Sequence, residues 1–123
     1  MTDRADLRRC SSAMKLLGNL FLLPETLPDE EVLEDLLAGP LVRIERIISS
    51  GQATPPGSWL QQDADEWVAL LQGEAILEYD DSYRVELHAG DWIFIPAFTR
   101  HRVASTSSDP VCLWLAVHGK LRP

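Results

Sequence analysis

From Leu41 to His118 the chain is interrupted about every ten residues by residues that favour turns, the pattern of short strands joined by turns. The interruptions are the Gly51 to Gly57 stretch with Pro55-Pro56, Gly73, Asp80-Asp81-Ser82, Ala89-Gly90-Asp91 and Ser107-Ser108-Asp109-Pro110. Between them lie short runs rich in β-branched and aromatic residues: Leu41–Ser49, Glu66–Leu71, Ala75–Tyr79, Tyr83–Leu87, Trp92–Ile95, His101–Thr106 and Val111–His118. Seven or eight short strands at this spacing predict an all-β sandwich or barrel. The chain has no internal repeat, linker or low-complexity tract.

Upstream the pattern differs. Residues 1–15 are polar and weakly patterned, and read as a mobile tail; Met14-Lys15 has the form of a second initiation site. The apolar run Leu16–Leu23 predicts a short extended segment stopped by Pro24. One helix is expected next, with Asp29 as N-cap, Glu30 and Glu31 in the first turn, an apolar stripe of Val32, Leu33, Leu36 and Leu37, and Gly39-Pro40 as its end. Residues 16–123 then form a single domain.

Nineteen acidic residues against eleven basic ones give a net charge of −8. The basic residues are scattered, which argues against nucleic acid or an anionic membrane as a partner, since either needs clustered Lys and Arg. Cys10 and Cys112 are two isolated thiols, as expected in a reducing compartment. Leu16–Leu23 is too short and too broken by Gly18 and Asn19 for a signal core, so a cytoplasmic location is expected.

Three side chains of the β region suggest chemistry: Gln62, Glu66 and His101. By the two-residue strand period Glu66 shares a face with Val68 and Leu70, and His101 with Val103 and Ser105. A carboxylate at the head of an apolar face is costly to bury unless it is paired. Gln62 is four residues before Glu66, close enough for their oxygens to converge. Carboxylate, imidazole and amide oxygen together can ligate a divalent metal.

With these residues the chain resembles the cupins. Their first motif is Gly-x5-His-x-His-x3,4-Glu-x6-Gly; Glu66 and Gly73 keep its closing spacing, with Gln62 at the second histidine position and Leu60 at the first. Gln61 takes the second position if the gap is four, and the opening glycine is unmatched, Gly51 being too far upstream. The second motif is Gly-x5-Pro-x-Gly-x2-His-x3-Asn; Gly90, Pro96 and His101 match in register, with Phe98 in place of the glycine and Ser105 in place of the asparagine. The resemblance covers about Leu41 to His118 and implies a double-stranded β-helix, or jelly-roll barrel, with the N-terminal arm and helix outside it.

The resemblance also implies a metal held by Glu66 and His101, with Gln62 as a substitute ligand. Iron, manganese, zinc and nickel are not distinguished, although losing two imidazoles weakens the nitrogen-seeking ions most. Two function classes stay open: a metal-dependent enzyme acting on a small organic molecule, and a non-catalytic module binding such a molecule in a metal-free barrel. His88 reads as a solvated loop residue, His118 and Tyr83 as structural, and Trp59 as the tryptophan placed to line a pocket mouth. Apolar outer faces, such as Trp67, Ala69 and Leu71, and the leucine-rich arm predict a homodimer.

Overall fold

The computed structural model describes residues 15–123; residues 1–14, with Cys10 and nearly all of the expected polar tail, lie outside the described residues. Eight strands follow in chain order: β1 Val32–Ala38, β2 Val42–Ser49, β3 Asp65–Gln72, β4 Glu74–Tyr79, β5 Arg84–His88, β6 Trp92–Ile95, β7 His101–Thr106 and β8 Cys112–Gly119. They form a five-stranded sheet in the order β1-β2-β8-β3-β6 and a three-stranded sheet in the order β5-β4-β7, with antiparallel pairing throughout. The two sheets face each other across a core that includes Val68, Leu70, Leu77, Ile95, Trp114 and Ala116. Glu66, Val68 and Leu70 share the inner face of β3, as the alternation predicts.

Two glycines set the strand connections. Gly73, between β3 and β4, has φ +94°, and a Cβ there would lie 2.8 Å from the Cys112 Sγ and 2.9 Å from its Cα. Both the backbone conformation and the close approach require glycine. Gly90 has φ +96° in the turn from β5 to β6, where the Asp91 N–H donates to the His88 carbonyl.

The expected helix does not form: Val32–Ala38 is an edge strand paired antiparallel to β2, with Glu34 opposite Arg46. Arg46 is buried, and its Nε and Nη2 donate to Glu34 Oε1 at 3.1 and 2.7 Å. Its Nη1 donates to the carbonyls of Leu20 and Leu22 in the arm. A helix over this stretch would take Glu34 away from a desolvated guanidinium and leave that charge without its carboxylate. Leu33, Leu36 and Leu37, the intended apolar stripe, stay exposed instead. The arm at Leu16–Leu23 has no regular secondary structure and turns at Leu20-Phe21, and Arg46 ties it to the barrel.

Candidate functional site

Sheet order brings together residues far apart in sequence. His118 on β8 stands opposite Glu66 on β3, and Glu45 lies on β2, the other neighbour of β8. His101 comes from the opposite sheet, where β7 begins. Its main chain exchanges two hydrogen bonds with Leu60, which fixes the incoming loop against the head of β7. All four side chains line a cavity of about 260 Å³ inside the barrel. Ile47, Val68, Leu77, Ile95, Val103 and Trp114 supply its apolar wall, and Gln62 and Arg43 also line it.

The imidazole of His101 is oriented by its main-chain partner: Nδ1 lies 2.9 Å from the Thr99 carbonyl and donates to it. That bond leaves the Nε2 lone pair facing the cavity, 3.9 Å from Glu66 Oε1, too far for a hydrogen bond. His118 Nε2 is 3.1 Å from Glu45 Oε1 and 3.7 Å from Glu66 Oε2, so it donates to Glu45. His118 Nδ1 is buried with no hydrogen-bond partner among the described residues. Burial pushes the Glu66 carboxyl above the usual carboxylate range; the nearby His118 and His101 oppose the shift, and Glu45 adds to it.

Gln62 lines the cavity, whereas the exposed Gln61 donates from Nε2 to the Phe98 carbonyl. The Phe98 N–H donates to the Gln62 carbonyl at 2.6 Å, so the loop after Pro96 clasps the segment that carries Gln62. Phe98 holds φ +65°, a left-handed conformation that is strained for a bulky side chain. Trp59 does not line the cavity; its ring lies 5.7 Å beneath the Arg100 guanidinium. Among the described residues, no group of three or more His, Cys, Asp or Glu side chains could hold a metal ion as it stands.

The family model described as Cupin domain matches residues 47–118. The chain belongs to the cupin family. Among solved structures, one from Ralstonia eutropha JMP134, provisionally described as a mannose-6-phosphate isomerase, is 42% identical with a TM-score of 0.79, covering 85% of this chain and 97% of that one. A cupin superfamily protein from Desulfitobacterium hafniense is 19% identical with a TM-score of 0.66, covering 79% of this chain and 84% of that one. The polyketide cyclase RemF from Streptomyces resistomycificus is 22% identical with a TM-score of 0.62, covering 77% of this chain and 68% of that one. The last two show the shared fold alone. No curated protein matches the chain.

Within this cupin barrel, Glu66 and His101 occupy the motif positions that the sequence picks out. Glu45 and His118 belong to neither motif, and both line the cavity, where His118 donates to Glu45. Strand parity carries a signal for it: Cys112, Trp114, Ala116 and His118 alternate along β8 and all are buried.

Proposed function

We propose that this cupin binds a small, largely apolar organic molecule in its barrel, beside a divalent metal ion held by Glu66, His101 and Gln62. One observation carries the reading: the bare Nε2 of His101 faces Glu66 Oε1 at 3.9 Å, with no hydrogen bond between them. Two electron-pair donors turned toward each other in a poorly solvated space call for a cation between them, a proton or a metal. The Thr99 carbonyl on His101 Nδ1 is the kind of outer contact that orients a ligating imidazole. The donor set of one nitrogen and two oxygens therefore fits a divalent ion such as manganese or iron, and zinc and nickel remain compatible. When bound, the ion supplies Lewis acidity and open coordination positions. The chain's own contribution is an apolar wall that excludes water, with Glu45 fixing the orientation of His118 beside Glu66.

A second reading, a metal-free binding module, is favoured because no group of three or more His, Cys, Asp or Glu side chains among the described residues could hold an ion as it stands. Metal analysis of protein purified without a tag or chelator, followed by titration with Mn²⁺, tests the proposal. Bound ion that is lost in His101→Ala is the expected result; a parent protein that retains no metal and takes up no Mn²⁺ leaves the metal-free module. The exposed leucines Leu33, Leu36, Leu37 and Leu41 on and after edge strand β1 support a homodimer as well. Light scattering that finds only a 13.8 kDa species would count against it.

A further inference from the structure

We propose that the molecule held in the barrel is an organic monocarboxylate, and that Arg43 at the cavity wall binds its carboxylate. The inference rests on the reading of the barrel as a small-molecule site. Among the described residues, Arg43 is the only lysine or arginine lining the cavity. Its guanidinium makes no hydrogen bond among the described residues; the nearest acid, Asp35, is 3.8 Å away on the exposed edge strand. The other charged groups of the lining are acids, which have no donor to offer a carboxylate. Glu31 accepts from the Ser49 hydroxyl, Glu45 from His118, and Glu66 faces the two imidazoles. Arg43 is thus the one charged group of the wall left with donors to offer.

Its place on β2 determines what it can recognise. Arg43 stands opposite His118 in the strand register, on the same inward face as Glu45 and Ile47. A ligand with its apolar body against Ile47, Val103 and Trp114 would leave a terminal anion at the half-exposed guanidinium, which is also open to water. A planar carboxylate matches the guanidinium's paired donors. A dianionic phosphate would place a second negative charge near Glu45 and Glu66, which disfavours it.

Matched pairs test the assignment: phenylacetate against phenylacetamide, and hexanoate against hexanamide, titrated calorimetrically into the intact protein in the presence and absence of Mn²⁺. The expected result is that at least one acid binds about tenfold more tightly than its amide, and that Arg43→Ala removes the preference. Asp35→Asn, which frees the guanidinium, should tighten the acid about twofold. Mn²⁺ uptake measured on the same samples separates the two readings. Loss of the acid preference in Arg43→Ala with Mn²⁺ uptake intact supports the assignment. An acid preference without any Mn²⁺ uptake overturns the metal and leaves Arg43's role standing. Amides that bind as well as their acids, or an acid preference that survives Arg43→Ala, overturn the assignment to Arg43.

Discussion

Asp65 and Glu66 are adjacent acids at the start of β3, and the strand's pleat sends them to opposite faces with opposite consequences. Asp65 is saturated: it accepts from the Ala97 N–H at 2.9 Å, the Leu121 N–H at 3.0 Å and the Arg122 guanidinium at 2.9 Å. The Ala97 bond, ahead of those from Leu121 and Arg122, holds its carboxyl below the usual range even though burial pushes the other way. Glu66 faces the cavity with no hydrogen bond, and burial holds its carboxyl above the usual range. One acid is built into the fold, pinning the C-terminal segment and the loop after Pro96. Its neighbour is left unsatisfied where a ligand can reach it. Buried polar groups without partners are costly, and those that persist tend to mark function.

The comparison breaks most visibly in metal affinity. Glu66→Gln and His101→Ala should each weaken Mn²⁺ binding at least about 100-fold, whereas Asp65→Asn should leave it within about threefold. His118→Asn, which removes a neighbour of Glu66, should cost about tenfold. Equal losses from Asp65→Asn and Glu66→Gln would show that the metal does not sit between Glu66 and His101.

Stability should run the other way. Asp65→Ala leaves two main-chain N–H groups and a guanidinium without their acceptor, and the melting temperature should drop by about 5–10 °C. Glu66→Gln in metal-free protein should leave it unchanged or raise it, because an amide is less costly to bury than a carboxylate. Scanning calorimetry with chelator present reads both. A drop in Glu66→Gln as large as that in Asp65→Ala would mean that Glu66 too is a structural acid.

The two acids should also leave opposite marks on the pH dependence. The Asp65 carboxyl lies below its ordinary value of 3.8, so its contribution is present above that value and is lost as pH falls through the lower folded value. The Glu66 carboxyl lies above its ordinary value of 4.5, so its contribution is present below 4.5 and is lost as pH rises through the folded value. Urea unfolding of chelated protein between pH 3 and 7 should therefore show Asp65→Ala losing less stability than the parent in acid. The advantage of Glu66→Gln should grow from about pH 4.5 upward. A constant offset for both variants would contradict the two shifts.

The strand grammar from Leu41 to His118 was readable because turn residues and two-residue alternation are local, and the seven strands expected there form within a residue or so of their expected ends. Val32–Ala38 misled because Val32, Leu33, Leu36 and Leu37 satisfy a helical stripe, while the residue that decides the matter, Arg46, pairs with Glu34 across twelve positions. The site divides the same way. Glu66 and His101 belong to motifs with fixed internal spacing, but Glu45 and His118 meet only because β8 inserts between β2 and β3, and a sheet order of that kind has no local signature.

The smallest effect concerns the loop after Pro96, which binds Asp65 on one side and the Gln62 segment on the other. The Ala97 N–H is on Asp65, and the next N–H, that of Phe98, is on the Gln62 carbonyl beside the cavity. Phe98, which donates the second of these bonds, holds φ +65°, where a Cβ is strained. The Phe98 side chain is 66% exposed, so little packing offsets that strain. Phe98→Gly should accordingly keep both hydrogen bonds and stabilise the fold by about 1 kcal/mol, a rise of several degrees in melting temperature, with Mn²⁺ affinity unchanged. Phe98→Val, β-branched at the same φ, should lower the melting temperature and weaken Mn²⁺ binding together, because it loosens the clasp on Gln62. If the glycine variant is instead destabilised, the exposed ring carries packing that outweighs the strain, through a second copy of the chain or a bound molecule.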